Sequence, residues 1–437
     1  MSNSNRSVLC SLDVGRWTLD VFWLQTELVQ FIRETIRARG PHSFAWFMQQ
    51  ALYHPEHGYY SSGRCAIGRR GDYFTNVSVG PVFGQLLAAQ FAEIWEHLGK
   101  IDNFIIFEQG AHHGELARDL LEAARKSRPD FFAALRYQII EPFPVLQDRQ
   151  RQTLEGRALS RPGTTRRSSL QSFRDKIEWR ASIDALEPFT GVHFSNELLD
   201  AMPVHLIVSR ETKTRSTNWL EKFVTLDGDE FAFLHQSIGN PKLRDHLQRL
   251  PVHPASYETE VNLTSLDWIN NVSRKLARGY VIVVDYGYPR DEFYARHRSE
   301  GTLQVRAQHR LLASPFEQIG HADMSTHVEW TSIAERAEAC GLQVKGFTDQ
   351  HHFITGILSE LGRGGSPEPP RGNWGQSPVP SPKTKRALQT LLHPEMLGRS
   401  FQVLAVAKDI DLAGPFAGFK FAREPRAALG LDRPNPC

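Results

Sequence analysis

FIIFEQGAHHGELARDLL, residues 104–121, reads as a strand running into a helix across a glycine-bearing turn. Phe104 to Phe107 form an unbroken apolar run, Gly110 and Gly114 interrupt the residues after it, and Leu116, Leu120 and Leu121 then recur at helical spacing. Glycines at such positions let the backbone approach a ligand closely, and the first turn of the helix offers N–H groups without an internal partner. Nucleotide-binding folds hold their cofactor at a turn of this kind. Here two histidines, His112 and His113, stand where a further glycine would be expected. By itself the G-x-x-x-G spacing is equally compatible with a tight turn that binds nothing.

Outward from this stretch the pattern alternates. LRYQIIEP (135–142), KIEWR (176–180), GVHFSN (191–196), GYVIVVDYGY (279–288) and FQVLAVAK (401–408) read as strands. GELARDLLEAARK (114–126), PFPVLQDRQRQTLEG (142–156) and TSIAERAEACGL (331–342) read as helices. Strands alternating with helices predict an α/β, doubly wound parallel sheet, with ligands at the carboxyl ends of its strands. Residues 204–278 break the rhythm: HLIVSR, WLEKFVTL and EFAFLHQ predict an antiparallel β insertion. Upstream, residues 28–100 form a helical and loop region, with helices at 28–39, from a Ser43 cap through Leu52, and at 83–98. The core then comprises 101–203 and 279–408. Residues 1–27 read as an extension, the Gly/Pro/Ser-rich stretch 362–383 as a flexible loop, and 411–437 as a disordered tail.

The 437-residue chain is 41% hydrophobic and 23% charged, ordinary values for a soluble globular protein. A net charge of +2 gives no global field for nucleic acid or a membrane surface. The basic stretch Arg149–Arg180 is Ser/Thr-rich and reads as a solvated loop. Cys10, Cys65, Cys340 and Cys437 lie far apart without CxxC spacing, which argues against a zinc or disulfide framework and for a reducing compartment. Apolar runs stay well short of the roughly 20 residues that span a bilayer, and the first thirty residues show no secretory pattern. Cytoplasm is the resulting expectation.

Glu108 closes the first strand and Glu141 the next, so two carboxylates flank the turn. The Gly110-to-Glu141 gap exceeds the roughly 20 residues of the dinucleotide fingerprint, and no lysine follows the turn as in a P-loop. Paired acids repel phosphate and favour a cation, such as the sulfonium of S-adenosyl-L-methionine. Asn196, Glu197 and Asp200 cluster at the end of the fourth strand; paired carboxylates can grip a guanidinium through forked hydrogen bonds. Asp285, Tyr286 and His327 are placed to touch a substrate or, equally, to be a buried cap and core residues. His54 and His57 read as a turn, and the His112–His113 pair has no cysteine near it, so no metal is expected.

Six segments then occur in one order: LYHPEHGYY (52–60), GDYFTNVSVGPVFGQLLA (71–88), SNELLDAMPVH (195–205), DYGY (285–288), GTL (301–303) and THVEW (326–330). Together they resemble the MidA family, relatives of a mitochondrial complex I assembly factor. The resemblance covers residues 28–408. It implies a Rossmann-like seven-stranded class I methyltransferase sheet, S-adenosyl-L-methionine as cofactor, and methyl transfer to arginine of a protein substrate, a respiratory complex I subunit in the mitochondrial member. By position it implies Glu108, Gly110, Gly114 and Glu141 at the cofactor, and Gly71, Asp72, Phe74 and Thr75 in a loop over it. Asn196, Glu197 and Asp200 fall beside the transferred methyl. A protein partner follows, with no nucleic acid or membrane segment; a homo-oligomer is compatible, as is a mitochondrial location in a eukaryote. The family turn is E-x-G-P-G-x-G, and here Ala111 and His112 replace the proline and central glycine. Two other readings stay open: an assembly factor whose cofactor site has degenerated, and a small-molecule or RNA methyltransferase.

Overall fold

The opening stretch does form a strand, β1 (Phe104–Gln109), a left-handed turn and a helix (Glu115–Ser127), and the computed structural model builds an eight-stranded mixed sheet around it. The structure describes residues 26–65, 75–155, 173–210, 218–251, 254–361, 381–411 and 414–432. After β1 come β2 (Leu135–Ile140), β3 (Ile177–Arg180), β4 (Phe189–Asn196), β5 (Leu276–Tyr288), β6 (Gln343–Asp349) and β7 (Phe401–Lys408). They lie in the order β6-β7-β5-β4-β1-β2-β3. The neighbours from β5 to β3 run parallel, and β7 is antiparallel to both β5 and β6. The sheet has eight strands rather than the expected seven because Val328–Glu329 pairs with Gly287 and Tyr288 at the end of β5.

Chain order reverses direction between β1 and β4, which opens a crevice beyond their carboxyl ends. One face of the sheet packs on helices Val82–His97 and Glu115–Ser127. In the second of these, Leu116, Ala117, Leu120, Leu121 and Ala124 are buried, a helical stripe facing the strands. Phe91 meets Phe194 edge-on at 5.6 Å there. The other face packs on helices Leu263–Lys275 and Trp330–Ala339, around Trp268, Val281 and Trp330.

A second, five-stranded antiparallel sheet joins strands His205–Arg210, Asn218–Asp227, Glu230–Ser237 and Glu258–Val261 with the two residues His42–Ser43 from the N-terminal region. Helices Thr26–Arg39 and Phe44–Tyr53 pack with it around Leu28, Ile32, Phe44, Phe47 and Val224. Ser43 caps the second helix through Trp46 N–H. A third, small sheet of Gln304–Ala307, Arg310–Leu311 and Asp323–Ser325 lies downstream of β5.

Several boundaries differ from expectation. The region 28–100 is divided, because its first two helices serve the antiparallel sheet while Val82–His97 covers the main one. The β insertion stops short of 278: helix Leu263–Lys275 is the crossover that carries the chain from the insertion back to β5. The expected tail is packed where it is described. Phe416, Phe419 and Leu429 are buried, and Ala417 and Gly418 N–H groups donate to Glu93 and Gln90. Residues 412–413 and 433–437 lie outside the described residues, as do 1–25 and 362–380. Pro382 and Lys383, assigned to the loop, open a helix capped by Ser381. Of the Arg149–Arg180 stretch, 156–172 lie outside the described residues, and Arg149 itself is helical.

Candidate active site

The turn after β1 is held in the left-handed region at three places, Gly110 (φ 83°), His112 (φ 45°) and Gly114 (φ 82°). His112 therefore does occupy the strained conformation for which glycine is suited. Its ring stacks on His113 at 3.7 Å. The Arg149 guanidinium lies 3.3 Å from His113 and bonds the Gly63 carbonyl, tying the N-terminal region to the turn. Glu108 is buried at the end of β1 and accepts from the Tyr137 hydroxyl at 2.7 Å. Burial pushes its carboxyl up to about 7 against that bond. Glu141, just past β2, accepts from Phe143 N–H (3.1 Å) and the Gln150 amide (3.0 Å), and burial pushes it to about 7 as well. Gln150 is fully buried; its amide also donates to the His112 carbonyl at 3.0 Å and its carbonyl accepts from Trp179 at 2.9 Å. One side chain thus fixes the turn relative to Glu141.

The segment after β4 turns sharply at Glu197, whose φ is 53°. Asp285, at the end of β5, secures this turn. Its Oδ2 accepts from the N–H groups of Leu198 (3.1 Å), Leu199 (2.8 Å) and Asp200 (3.3 Å), and its Oδ1 from Tyr286 N–H (2.8 Å). It is fully buried and lines neither large cavity, a placement that suits a cap of this turn. The Asn196 amide donates to Glu197 Oε1 at 2.8 Å, and Asn196 Oδ1 accepts from Asn76 at 2.9 Å. Asn76 is fully buried and its N–H reaches Glu197 at 3.4 Å. Burial raises Glu197 to about 8. Asp200 is raised by burial and by the neighbouring charges of Asp285, Glu197 and Asp323, and its Oδ1 has no hydrogen-bond partner.

Two cavities meet here. The first, about 660 Å³, is bounded by the turn, Glu108, Glu141, Asn196 and Glu197. The second, about 440 Å³, is bounded by Glu197, Asp200, Tyr286, Asp323 and His327, with Thr302 of the GTL segment on its wall. Glu197 and Tyr60 line both. Glu260 sets that wall by accepting from Thr302 and Leu303 N–H at 2.7 and 2.9 Å. The structure therefore brings together residues that lie far apart in sequence at one rim of the main sheet.

Comparison with known proteins gives this rim a context. Residues 86–348 match the family described as "Putative S-adenosyl-L-methionine-dependent methyltransferase". The chain belongs to this methyltransferase family. A solved structure from Burkholderia thailandensis, described as a "likely methyl transferase" bound to S-adenosyl-homocysteine, superposes with a TM-score of 0.78 at 28% identity, covering 93% of this chain and 98% of that one. The mitochondrial protein arginine methyltransferase NDUFAF7 homolog of Drosophila melanogaster is 26% identical, over 76% of this chain and 75% of its own. The Homo sapiens protein arginine methyltransferase NDUFAF7 is 22% identical, over 75% and 73%.

S-adenosyl-L-methionine is the cofactor of this methyltransferase, and the residues present fit it. The larger cavity has the size of a small-molecule site, is flanked by two buried acids, and is lined by His112, whose Nε2 is a buried polar atom without a partner. Thr75 is buried on its wall, while Gly71, Asp72 and Phe74 lie outside the described residues. Tyr286 and His327 both reach the second cavity; the His327 ring, kept neutral by burial, packs on Tyr288 at 5.1 Å. His112, His113 and Glu115 offer three ligand atoms within 4.8 Å of one another. Burial, joined by the Arg149 guanidinium beside them, holds both imidazoles down, and that charge opposes a further cation. The reading of the sequence missed Gln150, Asn76, Tyr60 and Asp323. Asn76 and Tyr60 had a signal, since they fall inside the GDYFTNVSVG and LYHPEHGYY segments. Among the described residues no helix is long and apolar enough to cross a membrane.

Proposed function

We propose that the protein transfers the methyl group of S-adenosyl-L-methionine to an arginine side chain of a protein substrate. The observation that carries this is Glu197. It lines both cavities at their junction, and beside it Asp200 presents a buried carboxylate oxygen without a partner. Glu141 would accept hydrogen bonds from the ribose hydroxyls, and the turn from Gly110 to Gly114 would hold the amino-acid end with Glu108. When bound, the cofactor supplies a methyl group on a sulfonium that departs as a neutral thioether.

The chain's own task is positioning and charge control. Glu197 and Asp200 would orient the guanidinium so that one nitrogen faces the first cavity. That nitrogen would take the methyl carbon as the carbon–sulfur bond of the bound cofactor breaks with its electron pair left on sulfur. The nitrogen's surplus proton would pass to the Glu197 or Asp200 carboxylate, ionised beside the bound guanidinium, and then to solvent. The arginine methyltransferase names of the relatives support this acceptor, and complex I subunits are the first substrates to try. Purified protein, methyl-labelled S-adenosyl-L-methionine and arginine-containing proteins test it. Label recovered as methylarginine supports the reading. Cofactor binding without any labelled arginine would move the reading to a small-molecule or RNA acceptor.

A further inference from the structure

The second cavity has a wall that the reading of Glu197 and Asp200 does not use. Strand Asp323–Ser325 of the small sheet brings Asp323 to that wall, buried to 5% exposure. The Tyr60 hydroxyl donates to Asp323 Oδ1 at 2.6 Å, and Tyr60 lines both cavities. The Tyr60 ring is itself stacked on Tyr53 at 5.5 Å, and the Tyr53 hydroxyl donates to the Ala201 carbonyl at 3.0 Å. A chain of contacts thus runs from Asp323 through two tyrosines to the residue next to Asp200. Asp323 is also close enough to raise the proton affinity of both Glu197 and Asp200.

We propose that this second cavity is the acceptor subsite, that Asp323 is its third binding carboxylate beside Glu197 and Asp200, and that Tyr60 is the positioning residue that aims Asp323. Three observations converge on it. Glu197, Asp200 and Asp323 line one cavity of about 440 Å³, against which the described lining residues offer a single guanidinium, Arg306. Arg306 is the cross-strand neighbour of Asp323, and its Nε is directed to Gln304 at 2.9 Å. Asp200 lines this cavity, and its Oδ1 is buried without a hydrogen-bond partner. Tyr286 and Tyr288 add aromatic surface beside the acids, which suits a flat cation.

The geometry favours a guanidinium over an ammonium. A guanidinium has five donors in a planar fork and can address several carboxylates at once, whereas an ammonium is a compact point charge with three donors. Asp323 therefore sets the choice between arginine and lysine. Glu197 alone, at the junction, would accept either.

This inference rests on the methyltransferase reading above, and the experiment separates the two. The protein is loaded with S-adenosylhomocysteine and titrated, by NMR or calorimetry, with capped arginine and capped lysine (N-acetyl amino-acid amides) as probes. Wild type should bind the arginine probe at least tenfold more tightly than the lysine probe. Asp323→Asn should lose that preference while S-adenosylhomocysteine affinity stays within twofold. Tyr60→Phe, which removes only the aiming hydroxyl, should lower arginine binding about threefold, and Asp323→Glu should recover part of the preference. Should Asp323→Asn fail to fold, Tyr60→Phe carries the test alone. An arginine preference unchanged in Asp323→Asn or Tyr60→Phe overturns the proposal, as does equal binding of both probes by wild type. Failure of S-adenosylhomocysteine itself to bind would instead strike the methyltransferase reading.

Discussion

At φ 45°, His112 holds an angle that glycine adopts freely and that costs a side-chain-bearing residue of order 1–3 kcal/mol. Its imidazole offsets part of this by stacking on His113 and by bonding the Cys65 backbone. His112→Gly exchanges strain relief for lost contacts, so cofactor affinity should stay within about tenfold of wild type. Glu141→Ala removes hydrogen bonds to a charged acceptor worth ~1.5–3 kcal/mol, so affinity should fall about tenfold to a hundredfold. Titration calorimetry on the two variants checks both, and a large gain in His112→Gly would show that the imidazole obstructs the site. Glu141 also sets a pH dependence. Its carboxyl, raised to about 7, is half protonated near neutrality, and ribose hydroxyls together with a sulfonium favour the ionised form. Cofactor binding should release protons near pH 6.5 and tighten as pH rises through 7. Calorimetry in buffers of differing ionisation enthalpy reads that proton count directly; a count of zero would mean the acid is already ionised in the free protein.

At the scale of elements, one amide and one carboxylate hold the two halves of the site. Gln150→Ala would strand the Trp179 N–H and cut the turn loose from Glu141. Each buried group so left costs about 1–3 kcal/mol, so a fall in melting temperature should accompany a weakened cofactor. Asp285→Ala would free the N–H groups of Leu198, Leu199 and Asp200 together, and should cost more stability than Gln150→Ala while abolishing methyl transfer. Thermal melts and initial rates on both variants decide it. The same elements show what a sequence can disclose. β1, β2, β4, β5 and β7 were legible because each is a buried apolar run of strand length. β6 was not, since Lys345 and Gly346 interrupt it where its pairing to β7 shifts register. The small sheet escaped because its strands are two to four residues long and carry no period. Asp323 went with it; Tyr60 closes the LYHPEHGYY segment, but its role depends on a contact across 263 positions. The end of the chain misled by composition, rich in glycine, proline and charge, although Phe416, Phe419 and Leu429 anchor it.

Across the whole molecule, the parallel sheet brings acids to one edge, and the antiparallel and small sheets close over that edge. The consequence is a set of ionisable groups whose burial favours their neutral forms, with opposing effects on stability. Glu108 and Glu141 are raised to about 7, Glu197 to about 8 and Asp285 to about 7, all chiefly by burial. Their unfolded counterparts release protons near 4, so the stability they contribute is complete below that value and is lost as pH rises through the folded values. His112, His193 and His246 are held down to about 3 and His327 to about 4, again by burial. Their contribution is complete above the ordinary imidazole value near 6.5 and is lost as pH falls below it. Between roughly pH 4.5 and 6.5 the raised acids and the lowered histidines pull in opposite directions, so their effects on melting temperature partly cancel there, and it should fall more steeply on both sides. Saturating S-adenosylhomocysteine should lift the alkaline flank most, because it binds the folded state with Glu141 ionised. A calorimetric scan from pH 3 to 9, with and without ligand, measures this. A melting temperature climbing steadily from pH 6 to 9 without ligand would show that the acids at the rim are ionised in the folded protein, and that the site meets its cofactor already charged.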